Sequence, residues 1–241
     1  MKKRYLVLFA LLASLTGCVP VDSLNPLYTD KDTFFDQSLL GVWVGPDNGK
    51  DGDLEFSQLN ENGKDVYVLT MTDNNDRSED KVLVYHGRLV KLGDRLFMDV
   101  VPEKWEARDD SYPLQVSSGK LGTSLQPRLL KLGMSAYMEF GDGSPQDNGK
   151  VNANLRRAHW FIKITRYDNK LQLDLSDDDA FKKALEKGSI KLPNVLLGAG
   201  KNKDILITAT TAELQKFVLE HADDETFFTS SMDPLHRQES K

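Results

Sequence analysis

Apolar and polar positions alternate through most of this chain. Asp53–Leu59 places Leu54 and Phe56 on one face, and Asp65–Thr72 is rich in Val, Tyr and Leu, side chains that suit a pleated, half-buried surface. Lys81–Val90 and Arg95–Val101 flank Lys91-Leu92-Gly93-Asp94. Leu83, Tyr85 and Leu89 share a face on one arm, and Leu96, Met98 and Val100 share one on the other, which predicts a hairpin. His159–Arg166 sets Trp160, Ile162 and Ile164 against His159, Lys163 and Thr165. Beyond a turn at Tyr167–Lys170, Leu171, Leu173 and Leu175 continue the apolar face as a second hairpin. Leu39–Val44, Leu129–Phe140 (Met134, Ala136, Met138 and Phe140 in phase) and Asp204–Ala209 read as further strands.

A helical period appears only late. Ser176-Asp177-Asp178-Asp179 has capping-box spacing ahead of Phe181, Ala184 and Leu185, and Gly188 ends that helix. Thr210-Thr211-Ala212-Glu213 is a second capping box, followed by Leu214, Phe217, Val218 and His221 at i, i+3, i+4 and i+7. About eight strands of similar length therefore run in order, joined by turns, without βαβ alternation. The predicted fold is mainly β, an antiparallel barrel of about eight strands with two late α-helices. Closure hides strand edges at least cost, and an open sandwich is the alternative. Pro102–Pro127 is irregular and reads as a long loop or insertion, and Gly141–Lys150 as a polar loop.

Composition narrows the classes. The chain has 241 residues, a formal charge of −6 and one cysteine. That length buries a substantial core. A single cysteine excludes a disulfide-stapled scaffold, and the negative charge argues against nucleic acid as a partner. The beginning of the chain carries an address: Lys2, Lys3 and Arg4, then the apolar run Tyr5–Leu12, then Leu15-Thr16-Gly17-Cys18. The apolar run is too short for the roughly 20 residues of a spanning helix.

Leu15-Thr16-Gly17-Cys18 resembles the lipobox of bacterial lipoproteins; an ordinary secretory signal and the apolar start of a cytoplasmic protein are the other readings of the segment. The resemblance implies cleavage after Gly17, a diacylated Cys18 sulfur and an acylated (palmitate-type) amino terminus. The chain is then held to a membrane through Cys18. Val19, in place of Asp, favours the periplasmic face of the outer membrane under the sorting rules of double-membrane bacteria. Removal of residues 1–17 takes away three basic residues and leaves 28 Lys and Arg against 37 Asp and Glu, a net charge of −9. The expected organisation is a signal peptide at 1–17, a lipidated tether at 18–37, the barrel domain at 38–228 and a flexible polar tail at 229–241.

Gly41-Val42-Trp43 opens the first long strand and is similar to the Gly-x-Trp motif of lipocalin-like barrels, whose Trp plugs the closed end; an ordinary core Trp is the other reading. The chain departs from lipocalins elsewhere. Thr165-Arg166-Tyr167-Asp168 has the residue types of their Thr-Asp-Tyr segment in another order, and the late Arg that packs on the Trp has no assignment in the sequence. Ser23-Leu24-Asn25-Pro26-Leu27-Tyr28, with Thr211–Phe217 and His221-Ala222-Asp223-Asp224, resembles a group of bacterial lipoproteins carrying both segments, which brings no activity with it.

Motifs for chemistry fail in turn. His86, His159, His221 and His236 have no His or Cys at metal-ligand spacing, so no metal is expected. Counted from Asp47, Asp47-Asn48-Gly49-Lys50-Asp51-Gly52-Asp53 puts Gly49 and Gln58 where an EF-hand needs ligands. Gly141-Asp142-Gly143-Ser144-Pro145 misplaces the glycines of a nucleophile elbow, and Gly198-Ala199-Gly200-Lys201 lacks the full phosphate-loop spacing. The expectation is a protein without enzymatic activity or cofactor. Two functions lead: binding of a small hydrophobic or lipid-like ligand inside the barrel, or a structural or protein-interaction role with a filled core; an enzyme is the third, since the carboxylate pair of a glycoside hydrolase leaves no signature in spacing. The interior decides between the first two.

Overall fold

The computed structural model describes residues 21–47, 49, 52–73, 82–103, 128–133, 136–140, 153–197, 204–229 and 233–238. Two short strands come first, β1 (Asp22–Ser23) and β2 (Thr33–Phe34), followed by a 3₁₀ turn at Gln37–Leu39. Then come β3 (Gly41–Val44), β4 (Gly52–Glu61), β5 (Lys64–Asp73), β6 (Val82–Leu92) and β7 (Arg95–Pro102). After these run β8 (Arg128–Gly133), β9 (Ala136–Phe140), β10 (Ala153–Arg157), β11 (Trp160–Tyr167) and β12 (Lys170–Ser176). The chain continues with α1 (Asp178–Glu186), β13 (Asn194–Leu197), β14 (Asp204–Ile207), α2 (Thr211–Glu220), β15 (Phe228–Thr229) and β16 (Leu235–Arg237).

Eight strands close into an antiparallel barrel in the order β3-β4-β5-β6-β7-β11-β12-β16 and back to β3. Each barrel strand pairs with the next barrel strand in the chain, so the path is a simple meander interrupted twice, after β7 and after β12. Extended around the barrel from Trp43 through Leu54, Met71 and Leu83, the registers return to β3 displaced by 12 residues. Such a stagger tilts the strands steeply against the barrel axis. The hairpins turn at one rim, at Asn62-Gly63, Gly93-Asp94 and Asp168-Asn169. Asn62 and Gly63 have φ of 53° and 80°, the left-handed pair that a two-residue hairpin turn needs.

Alternation fills the barrel. Inward positions carry Trp43, Leu54, Phe56, Tyr67, Leu69, Tyr85, Leu89, Met98, Val100, Trp160, Ile164, Leu171, Leu173 and Leu235, which form one buried cluster. Gly87 faces inward between Tyr67 and Val100. A Cβ added there would meet Leu69 Cδ1 at 2.6 Å and Met98 Sδ at 2.9 Å. The glycine is thus set against the tips of two flexible side chains, at a dihedral that is not unusual.

A second core lies outside the barrel wall. Val90, Leu92, Phe97 and Phe161 point outward and are covered by Phe181 and Ala184 of α1, by Leu214, Phe217 and Val218 of α2, and by Ile205 and Ile207 of β14. The helices start as their sequences require. Asp177 caps α1, its side chain accepting from Ala180 N at 2.9 Å, and Thr210 with Glu213 forms the reciprocal capping box of α2. Strand β14 pairs in parallel with β1 and antiparallel with β13. Strands β8, β9 and β10 form a separate antiparallel sheet within the stretch between β7 and β11. Among the described residues no helix is long and apolar enough to cross a membrane.

The structure draws several boundaries differently from the sequence pattern. Residues 21–36 are no free tether: Val21, Ser23 and Leu27 are fully buried, because β1 adds to β14 and the segment then crosses the outer barrel wall. The expected tail at 229–241 contains β16, which closes the barrel between β3 and β12. Three residues with one inward Leu carry too little periodicity to stand out. The expected strand at Leu129–Phe140 is two strands, and Asp177 rather than Ser176 caps α1. Gly141–Lys150 and residues 104–127 lie outside the described residues.

Gly87→Ala tests the filled interior by its sign. In a packed barrel the added methyl displaces Leu69 and Met98, and the variant loses about 1–2 kcal/mol in urea unfolding. In a hollow one those tips swing aside, and the reduced chain entropy of Ala raises stability by about 0.4–1 kcal/mol.

Candidate functional site

Two regions gather polar side chains around the barrel. The first is the closed end. Gly41 opens β3 at a φ of 115°, and Trp43, two residues on, lies 4% exposed in the interior. Its indole Nε1 donates to the Leu39 carbonyl at 2.8 Å, tying it to the 3₁₀ turn beneath the barrel. The Arg237 guanidinium carbon stands 5.3 Å from the Trp43 ring centroid, and its Nη2 donates to the carbonyls of Ser38 and Leu40. Arg237, which no sequence pattern singled out, thus packs on the Trp43 ring. The closed end gains a cation–π contact and two charge-assisted hydrogen bonds from it.

Tyr67 completes this end. Its ring stacks on Phe35 at 4.6 Å, and its hydroxyl donates to Asp36 O and accepts from Asp36 N. Burial pushes the phenol up to about 12. The Asp36 carboxylate is held below the usual range by the Ser38 hydroxyl, then by the Ser38 amide and Arg166, whose Nη1 is 2.5 Å away.

The second region is a cleft of about 360 Å³ on the outer barrel wall, lined by Tyr28, Glu61, Val66, His86, Gly87, Arg88, Asp99, Val101 and His159. Outward positions of β6 and β7 supply His86, Arg88, Asp99 and Val101, and His159 precedes β11. Asp99 is 2% exposed, and both its oxygens are used: Oδ2 accepts from Leu27 N at 2.7 Å, and Oδ1 stands 2.7 Å from His159 Nδ1. A buried carboxylate at Nδ1 orients the imidazole and makes Nε2 the basic nitrogen of the neutral ring. Arg88 donates to Glu61 at 2.8 Å and lies over the Tyr28 ring at 5.5 Å. Burial raises the Tyr28 phenol, reinforced by the Asp99 charge and opposed by Arg88.

His86 lies between two acids. Nδ1 is 3.9 Å from Glu61 and Nε2 is 3.9 Å from Glu103, and Nε2 is buried without a hydrogen bond. The cleft holds an oriented imidazole and two carboxylates, and its one guanidinium is already neutralised by Glu61. Among the described residues its lining includes no Ser, Thr or Cys. Among the described residues no group of three or more His, Cys, Asp or Glu is placed to hold a metal ion.

The arrangement acts foremost as a clamp. Leu27 and Tyr28 belong to the segment at 21–36, and both are fixed on the barrel wall by Asp99, Arg88 and the edge of His159, whose ring centroid is 6.4 Å from that of Tyr28. Spacing could not predict the cleft, because Asp99 and His159 are 60 residues apart and meet only through the pairing of β7 with β11. Of the residues singled out from sequence, Gly41 and Trp43 meet Arg237 at the closed end. Cys18 lies outside the described residues. No family model, curated protein or solved structure matches this chain. Barrel, clasp and clamp define it as a closed eight-stranded β-barrel protein with a helical outer layer.

Asp99→Ala strands the Leu27 amide and frees His159. The expected cost is about 3 kcal/mol in denaturant unfolding, with faster amide exchange confined first to residues 22–28.

Proposed function

We propose that this protein is a lipid-anchored, non-enzymatic protein of the cell envelope, held through Cys18 at the periplasmic face of the outer membrane. In this reading its barrel is a solid scaffold and its outer surface meets a protein partner. The address reading is supported by the basic start, the short apolar run and Leu15-Thr16-Gly17-Cys18. Acylation at more than one position gives a stable anchor, since each buried methylene contributes about 0.8 kcal/mol and a single chain is marginal.

The observation that carries the scaffold reading is the interior. Trp43, Phe56, Tyr67, Tyr85, Met98 and Trp160 pack there in one buried cluster, and a methyl group at Gly87 would press on the tips of Leu69 and Met98. Ligand sites of small barrels need a void of several hundred Å³. The cleft described above lies outside the barrel wall, as does a second one beside α1, lined by Lys182, Leu185, Glu186, Ile190, Lys191, Leu192 and Asn194.

Two measurements on the processed protein test these parts separately. Cys18→Ser, exported behind an ordinary secretory signal in place of residues 1–17, moves the protein from the membrane to the soluble envelope fraction; membrane association that survives the substitution and the signal's removal takes the lipid anchor out of the account. Native mass spectrometry of the purified body gives the bare polypeptide mass, and fluorescent fatty acids do not bind. An apolar molecule that copurifies would replace the scaffold reading with that of a hydrophobic-ligand carrier.

A further inference from the structure

The clamp on residues 21–28 fixes where the chain leaves the barrel, and that point lies on one rim. Val21 is fully buried, and its amide donates to Ser176 Oγ at the last residue of β12. Asp22, 3% exposed, accepts from Trp160 Nε1 at 2.5 Å, at the first residue of β11. Ser23 and His159 exchange backbone hydrogen bonds of 2.9 and 2.8 Å. Strand β12 ends and β11 begins at the rim opposite the hairpin turns Asn62-Gly63, Gly93-Asp94 and Asp168-Asn169. Strands of 8 to 11 residues, tilted as the stagger requires, set the two rims about 20–25 Å apart.

Three Cα–Cα steps separate Cys18 from Val21, a reach of about 11 Å at full extension. This is shorter than the barrel is tall. Lipidation of Cys18 would therefore leave the body no freedom to present either end. We infer that the rim bearing Val21, Asp22, Trp160 and Ser176 is the membrane-facing surface of this protein, apposed to the lipid headgroups, with the three hairpin turns pointing away from the bilayer. This rests on the lipid-anchor reading of Cys18. The partner surface is the bilayer itself. Asp22 and Ser23, a short reach from Cys18, are joined to the rim through Trp160 and the β1–β14 pairing, so apposition needs no headgroup-specific pocket.

The test uses the full-length lipidated protein in phosphatidylcholine vesicles, whose neutral headgroups do not repel a chain of net charge −9. Single cysteines are placed at Val82→Cys, an exposed position where β6 starts at the anchor rim, and at Asn169→Cys, exposed at a hairpin turn. In the lipidated protein the Cys18 sulfur is blocked as a thioether, so only the new thiol takes a fluorophore. A headgroup-borne nitroxide lipid is expected to quench the Val82 probe several-fold more than the Asn169 probe. A flexible Gly-Ser insert of about 20 residues ahead of Val21, which spans about 25 Å on average, is expected to erase the difference. Equal quenching of the two probes without the insert, in protein that floats with the vesicles, overturns the orientation alone. Protein that does not float overturns the lipid anchor, and the orientation with it.

Discussion

An antiparallel sheet of eight strands has two open edges unless its last strand returns to its first. Here the return is made by three residues, Leu235–Arg237, inserted between β3 and β12. Everything inside depends on it. Leu235 completes the buried cluster, and Arg237 reaches across to clasp Trp43 and the carbonyls of the 3₁₀ turn. Without that strand, β3 and β12 would each expose a row of unpaired amides and carbonyls, a template for association with another chain. A strand this short holds because both neighbours, the Trp43 ring and two carbonyls all meet it within three residues.

The N-terminal segment performs the matching task on the outer wall. It runs from the rim where Asp22 meets Trp160, past Asp99 and Arg88, to the closed end, where Asp36 meets Tyr67 and Arg166. On the way Gln215 of α2 donates to Leu27 O at 2.9 Å and to Asp32 at 2.8 Å, and Thr211 donates to Pro26 O. The segment is therefore the seam between barrel and helical layer. The outward core around Phe97, Phe161, Phe181 and Phe217 lies under it, so the barrel and the late helices share one continuous stabilising unit. In such a body a pull on the amino terminus is transmitted to the barrel wall through buried polar contacts.

Much of this was legible in the sequence, for a physical reason. Period-2 alternation survives wherever one face is buried, so β4, β5, β6, β7, β11 and β12 stand out together with their shared inward faces. Both late helices announce themselves through capping residues, Asp177 and the Thr210–Glu213 pair, because orphan amides need acceptors. What escaped is what depends on partners far away in sequence. The segment at 21–36 looks like linker because its polar residues spend their hydrogen bonds on α2, β6 and β7 rather than on a local pattern. The tail looks frayed because β16 is too short for periodicity. The cleft of Asp99, His159, Arg88 and Tyr28 is invisible because strand pairing, not spacing, assembles it.

Hydrogen exchange on the native full chain addresses closure most directly. In a closed barrel, the amides of Val44 and His236, the hydrogen-bonded pair of the β3–β16 ladder, exchange only through global unfolding, at the same free energy as those of Ile162 and Ile164 in β11. Exchange of residues 235–237 at the rate of a free tail, with β3 unprotected along that edge, would contradict the closed barrel and the filled interior built on it.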